Sequence, residues 1–359
     1  LKLNYVKEAK IEGPGFINIF LKNDFWIFSL IETLTLNDKY GESNIGKSKK
    51  IIIEFVSANP TGPLHIGHCR GAVYGDVLSN IMKKLGYKVF KEYYINDTGT
   101  QIDKLTNSVI YRYKELFNKQ KEIEKDLYPG EYLIDLAKDL KKKYGSKLLE
   151  NNEKNKVKIK NFSLKWIINL IKKDLSLLGV KFDFFYPESD LVKNDKISIC
   201  IDNLKKNKLI YKGIPDKPKS GDLDEWEARE QFLFKSSSFG DDVDRAIQKS
   251  NGDYTYFAKD IAYHFDKFKR GFTSMINVWG ADHGGYIKRL TSAVKAITKN
   301  KTDLVIKICQ LIKIIDNKKT LKMSKREGNF VSLKNVIDKV GKDVTRFIML
   351  VRKNNEDID

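Results

Sequence analysis

Residues 51–68, IIIEFVSANPTGPLHIGH, change character three times. Lys50 to Ser57 (KIIIEFVS) is a short apolar run rich in β-branched residues, the pattern of a strand buried on both faces of a parallel sheet. Asn59-Pro60-Thr61-Gly62-Pro63 is a turn cluster. From Ile66 onward apolar residues recur at helical spacing through Cys69, Val73, Val77, Ile81 and Leu85, and the run ends at Gly86. The segment predicts strand, loop, helix. Unpaired amides and a partial positive charge gather at such a helix start, which suits phosphate. His65 and His68 can donate hydrogen bonds to phosphoryl oxygens there. Gly67, with no side chain, lets a flat ligand approach the backbone.

About 250 residues later stands Lys322-Met323-Ser324-Lys325, two lysines on a predicted mobile loop. Taken alone, the histidine pair can be structural and the lysine tetrapeptide a solvated charge run. Their order and separation, with room for a whole Rossmann-type domain between them, argue against coincidence.

Composition bounds the rest. The 359 residues can bury a large core and suffice for two to three domains. With 41% hydrophobic and 31% charged residues the chain reads as soluble and globular. No apolar run is long enough to cross a membrane, and the start, LKLNYVKEAK, has no signal-peptide core. That start also lacks an initiator Met, so the chain reads as a fragment. Cys69, Cys200 and Cys309 lie too far apart for a disulfide frame or a zinc knuckle, and a reducing cytoplasm fits. The net charge of +19 points to a polyanion such as RNA, although a composition rich in Lys, Asn and Ile accounts for part of it.

The predicted architecture is α/β, a Rossmann-like catalytic domain on a parallel sheet, with a largely helical insertion and the remnant of a small N-terminal α+β domain. Residues 1–48 hold strand-like pieces (FINIFL, FWIFSL) and a polar linker. Residues 49–110 form the first half of the Rossmann domain, with Val89 to Ile95 as its second strand and Asn96 to Gln101 as a candidate pocket rim. Residues 111–215 read as a mainly helical insertion: GEYLIDLAKDLKKKYG and FSLKWIINLIKKDLSLLG are amphipathic, and KLLENNEKNKVKIKN between them reads as an exposed connection. Residues 216–315 return to α/β character, with MINVW as a strand running into Gly280-Ala281-Asp282-His283. Residues 316–359 hold the lysine loop and two short helices.

The segments IIIEFVSANPTGPLHIGHCRGAVYGD, EYYINDTGTQ, GDYTYFAKDIAYHFDKF, NVWGADHGGYIKR, KMSKREGNFVSL and VGKDVTRFIMLVRK resemble arginyl-tRNA synthetases, of class I of the aminoacyl-tRNA synthetases. The match runs over nearly all of residues 50–356. Residues 1–48 resemble the end of that family's N-terminal tRNA-contacting domain, and its C-terminal anticodon-binding domain is expected to be absent. Many members vary the lysine loop; here both lysines stand.

The resemblance implies two steps. The arginine carboxylate attacks the α-phosphate of Mg-ATP, and the terminal adenosine of tRNA(Arg) then takes the arginyl group through its 2′-hydroxyl. It implies no zinc or other resident metal, and a monomer. His65, Gly67 and His68 would contact ATP, Lys325 would stabilise pyrophosphate charge with Lys322 assisting, and Met323 would pack near adenine. Gly280 and Asp282 would meet either the ribose or the substrate amino group. Glu54, Tyr256 and Asp260 would face the guanidinium, and Asn59, joined by Ser57, would hold the amino-acid end. Members commonly need bound tRNA even to activate arginine.

The residues themselves leave alternatives. A guanidinium offers donors in a planar fork that a carboxylate matches bidentately. Glu54 inside an apolar strand is costly unless paired, or it sits on an edge strand. Tyr256 and Asp260, four apart, share a helical face, or are a packed Tyr and a capping Asp. His264 reads as a core residue more than a pocket one; His283 as a pocket residue or one that orients a neighbour; Cys69 as packing. The competing functions are a class I synthetase of another specificity, such as glutamate or cysteine, and a non-catalytic RNA-binding fragment. A cysteine enzyme wants a zinc cluster, and a glutamate enzyme wants basic residues where Glu54 and Asp260 stand.

Overall fold

The computed structural model describes residues 3–119, 126–216, 228–310, 312, 314–316, 319–321, 331–351 and 353. Lys322, Met323 and Lys325 lie outside the described residues.

In chain order the elements begin with a hairpin, β1 (Val6–Glu12) and β2 (Phe16–Leu21), and helix α1 (Asn23–Leu36). Then come β3 (Lys50–Glu54), α2 (Ile66–Lys84), β4 (Lys88–Ile95), α3 (Thr100–Glu115), α4 (Tyr132–Tyr144), α5 (Glu153–Leu177), β5 (Phe184–Pro187), α6 (Ser189–Lys193) and α7 (Lys196–Lys206). The second half runs β6 (Ile210–Gly213), β7 (Gln231–Phe234), β8 (Arg245–Gln248), α8 (Tyr256–Lys269), β9 (Ser274–Gly280), α9 (Ile287–Thr298), β10 (Asp303–Cys309), β11 (Ile314–Asp316), β12 (Lys319–Leu321), α10 (Leu333–Val340) and α11 (Lys342–Val351).

The central sheet has the order β10-β9-β3-β4-β5, and each neighbouring pair is parallel. Strand β3 is its middle strand. Ile51 and Ile53 pack into a core with α2 to α5, while Ile52, on the opposite face, joins a second core with α7, α8 and α9. All three are essentially inaccessible, which is why β3 is an unbroken apolar run. Truncating any of them to Ala should cost about 2–5 kcal/mol. Gly75 of α2 lets the helix settle on the strand: a Cβ there would lie 2.3 Å from the Phe55 ring. From β3 the chain steps out to β4 and β5 on one side, and β9 and β10 lie on the other. The order therefore reverses beside β3, and ligand crevices in such sheets open at the carboxyl ends next to that reversal.

Four readings of the sequence change. FWIFSL is not a strand piece but the middle of α1. The expected lysine-rich connection 147–161 is helical from Glu153, where Asn152 caps α5 by accepting from the Asn155 amide. The span 111–215, expected to be mainly helical, holds α4 to α7 and also the short strands β5 and β6; β5, the edge strand of the central sheet, was not foreseen because its four residues are too few to show a period. Strand β3 ends at Glu54 rather than Ser57, because Val56 (φ 67°) and Ser57 (φ 39°) turn through left-handed backbone.

Candidate active site

Three loops leave the carboxyl ends of β3, β4 and β9 and meet above the sheet. The first begins with a tight turn in which the Ser57 amide donates to the Phe55 carbonyl at 2.9 Å. Val56 at its centre has a positive φ, a costly conformation for a β-branched residue. The turn aims the Ser57 hydroxyl at Glu54 Oε1 (3.1 Å) while its oxygen accepts from the Tyr94 amide (3.1 Å). Further on, Asn59 Nδ2 donates to Gln101 Oε1 at 3.0 Å, tying this loop to the one after β4.

The cleft beside this turn has a volume of about 250 Å³. Its walls include Glu54, Val56, Ser57, Tyr94, Asp260, Tyr263, His264, Asn277, Gly280, His283 and Tyr286. Glu54 is buried, on a central strand and not an edge one. Its charge is compensated: the fully buried Lys267 of α8 places Nζ 2.5 Å from Glu54 Oε2. A single Lys267 contact at 3.4 Å continues to Asn277 Oδ1. The Asn277 amide faces His264 Nε2 (3.0 Å), and His264 Nδ1 lies 2.8 Å from the Asp260 carbonyl oxygen. Since that carbonyl can only accept, Nδ1 carries the proton and Nε2 accepts from Asn277. Burial, reinforced by Lys267, pushes the His264 pKa well down and keeps the ring neutral.

Asp260 lines the cleft one turn above His264. The Tyr286 hydroxyl donates to its Oδ2 at 2.6 Å. Burial pushes the Asp260 carboxyl up to about 7, with the charges of Glu54 and Glu188 adding to the rise and the Tyr286 bond opposing it. Nearby, Glu188 accepts from Lys259 Nζ at 2.8 Å and from the Thr98 hydroxyl at 2.7 Å. Thr255 caps α8 by accepting from the Ala258 amide, so Asp260 is not the capping residue. Tyr256, at the first position of α8, is 57% exposed, stacks under Lys259 Nζ and is not among the cleft-lining residues.

The start of α2 has a different character. His65 is its N-cap, with Nδ1 accepting from the Gly67 amide at 3.1 Å. His68 Nδ1 accepts from the His65 amide at 3.2 Å. Both neutral rings therefore carry their proton on Nε2, and the two rings lie 3.9 Å apart. Gly67 makes room for the His65 ring, since a Cβ would fall 2.9 Å from it.

The residues that follow the lysine tetrapeptide return to this turn. The Ile66 amide donates to the Val331 carbonyl (3.2 Å), the Leu333 amide donates to the Leu64 carbonyl (2.9 Å), and His65 bridges Ser332. On the far rim, Gly280 lines the cleft, while Asp282 and His283 are exposed and face each other at 3.6 Å.

The structure thus brings Glu54, Ser57, Asp260 and Gly280 to one cleft and sets His65, Gly67 and His68 at the neighbouring helix start. Tyr256, Asn59 and Asp282 stand outside the cleft walls. Sequence reasoning missed Lys267, Tyr286, Asn277, Glu188 and Lys259. A signal existed for Lys267: Asp260, His264 and Lys267 follow the i, i+4, i+7 stripe that faces the core, where a lysine needs a buried partner.

Residues 30–358 match the model of the family described as tRNA synthetases class I (R), catalytic domain. An arginine–tRNA ligase of Wolbachia sp. subsp. Brugia malayi is 51% identical over 354 residues, covering 99% of this chain and 62% of the relative. One from Cereibacter sphaeroides is 46% identical over 355 residues, with 99% and 61% covered. A solved Campylobacter jejuni structure, assigned provisionally to the arginyl-tRNA synthetases, superposes with a TM-score of 0.80 at 34% identity over 94% of this chain and 70% of that one. The chain thus spans about 62% of the length of the first of these curated relatives. On this match, which runs over nearly its whole length, the chain belongs to the class I tRNA synthetase (R) catalytic-domain family, that of the arginyl-tRNA synthetases.

Proposed function

We propose that this chain is the catalytic portion of an arginine–tRNA ligase: it activates L-arginine with ATP, presented as its magnesium complex, and passes the arginyl group to the terminal 2′-hydroxyl of tRNA(Arg). The observation that carries the reading is the pair of hydrogen bonds in which the Ile66 amide donates to the Val331 carbonyl and the Leu333 amide donates to the Leu64 carbonyl. They anchor the chain just beyond the lysine loop against the histidine turn.

On this reading the amino acid lies with its guanidinium at Asp260, whose carboxylate Tyr286 orients, and with its carboxylate toward the start of α2. A carboxylate paired to a guanidinium is specific because both are planar and bidentate. The His65 and His68 Nε2–H groups and the amides of the helix start donate to phosphate oxygens, with Lys325 and Lys322 offsetting charge on the departing pyrophosphate. This is catalysis by positioning and charge stabilisation. Ser57 holds the Glu54 carboxylate, Asn59 and Gln101 join the two loops at the substrate's amino-acid end, and Met323 packs near the adenine. Gly280 and Asp282 form the ribose or amino-group rim, and Tyr256 faces the guanidinium from outside the cleft walls.

The reading includes a monomeric, cytoplasmic enzyme. The three cysteines are free and buried, which supports a reducing compartment, and among the described residues no helix is long and apolar enough to cross a membrane. Arginine-dependent exchange of pyrophosphate into ATP tests the function. We expect weak exchange from this chain alone, with ATP and arginine both bound. Exchange that depends on another amino acid overturns the specificity, and robust exchange without tRNA overturns the expected dependence on tRNA.

A further inference from the structure

We propose that Asp174 is a positioning residue: from the last turn of α5 it holds the Leu64 amide and so sets the histidine turn at the start of α2. The inference rests on the reading that this turn takes the phosphates of ATP.

Asp174 is 4% exposed and lies three residues before the end of α5. For its own helix that is a poor place. A helix ends in a partial negative charge, so a carboxylate there is unfavourable, and burial adds to the cost. The last turn of α5 holds no basic residue; the cation at that end comes from α11, where Arg346 donates to the Leu178 carbonyl at 3.1 Å. A residue that breaks the local rules of its element points to a use elsewhere.

That use lies at α2. Asp174 Oδ2 accepts from the Leu64 amide at 2.9 Å, across 110 residues of chain. Leu64 directly precedes His65, the N-cap, so the carboxylate stands beside the positive end of α2, where an anion is favourable. Leu64 is inaccessible to solvent, and a buried amide needs a partner from the protein. Its carbonyl accepts from the Leu333 amide at 2.9 Å. Leu64 is therefore gripped from two directions, by α5 and by the segment that returns from the lysine tetrapeptide.

The loop leading into Leu64 is held in the same manner. The Tyr93 hydroxyl donates to the Ala58 carbonyl at 2.8 Å, and the Tyr132 hydroxyl of α4 donates to the Thr61 carbonyl at 2.5 Å. Pro60 and Pro63 have no N–H to offer. Gly62 lets Tyr132 lie against the backbone, since a Cβ there would fall 2.9 Å from the ring. Of these three side chains Asp174 alone is a carboxylate, and charge-assisted hydrogen bonds are the shorter and stronger ones. Losing it should displace His65 and His68, whose Nδ1 atoms are held by amides of the same turn.

The test compares Asp174→Asn, which keeps an acceptor oxygen, with Asp174→Leu, which keeps none. Each chain is titrated calorimetrically with a non-hydrolysable ATP analogue and with L-arginine, and the ring-proton NMR signals of its four histidines are followed. In Asp174→Leu the affinity for the analogue should fall about tenfold, the size of a stranded buried amide, with arginine affinity within about twofold of the parent. The His65 and His68 signals should shift while that of His264 stays. In Asp174→Asn the analogue should bind within about threefold of the parent. Equal weakening of both ligands, or unmoved His65 and His68 signals, overturns the proposal. Where Asp174→Leu does not fold, Asp174→Ser, whose side chain is too short to reach the amide, carries the same expectations and the same refutations. If the parent does not bind the analogue, the assignment of the turn to ATP falls instead, and the histidine signals still decide whether Asp174 positions the turn.

Discussion

At the sheet end of the cleft, Glu54 and Glu188 are each locked to a lysine and Asp260 to a tyrosine hydroxyl; at the start of α2, two imidazoles and backbone amides are arranged around a glycine. In the proposed function the first region discriminates by charge and burial, because a buried ionic site rejects a ligand whose charge does not match. The second presents directional donors, which suits phosphate oxygens that carry the same charge in every nucleotide. A strained turn at Val56 and Ser57 lies on the chain between them, and the start of α2 meets a segment, 331–333, arriving from far along the chain.

The contrast breaks most readily at Asp260. Asp260→Asn should weaken arginine by about two orders of magnitude, as loss of a charged buried partner does, while sparing an ATP analogue. An unchanged arginine affinity would move the guanidinium site elsewhere. Lys325→Ala probes the other region: the adenylation rate should fall roughly a hundredfold or more with arginine affinity nearly intact. Equal losses in both would mean that Lys325 acts through general binding.

A pH titration sharpens the same comparison. The Asp260 carboxyl is pushed up to about 7 by burial and neighbouring carboxylates. Arginine affinity should therefore rise from pH 6 to pH 8, about tenfold, and Asp260→Asn should flatten that rise. For stability the sign is opposite. A carboxyl with a raised folded pKa gives up its proton in the unfolded chain first, so the parent loses stability between about pH 4 and 7. Asp260→Asn should melt a few degrees above the parent at pH 8, with the gap closing toward pH 5. A gap independent of pH would show that Asp260 does not titrate in this range. The smallest effect belongs to Gly67→Ala. Its Cβ would press on the His65 ring, and affinity for an ATP analogue should fall a few-fold with arginine untouched. A comparable loss of arginine would join the two regions into one mechanical unit.

The sequence made the strand–loop–helix around 51–68 legible because it is local: a buried strand, proline turns and helical spacing need no distant partner. It also placed the second Rossmann strand and the strand into Gly280 nearly to the residue. The short edge strand β5 and the helical nature of α1 were not legible, the first for want of a period and the second because its apolar residues carry no clear stripe. In the site, Glu54 stood out as an acidic residue in an apolar strand, and Asp260 through its helical spacing from Tyr256 and the family resemblance. What stood hidden was who answers them. Lys267 pairs with Glu54 across 213 residues, and one lysine among 66 basic residues announces nothing until the sheet brings β3 and α8 together. Tyr256 illustrates the converse: helical spacing put it with Asp260, but it sits at the exposed first position of α8.

The most direct measurement is calorimetric titration of the chain with L-arginine, against L-lysine, L-glutamate and L-cysteine, with and without a non-hydrolysable ATP analogue. The account predicts binding of arginine alone, at unit stoichiometry, whether or not the analogue is present. Binding of another of these amino acids as tightly as arginine, or of the analogue with no amino acid bound at all, would contradict it.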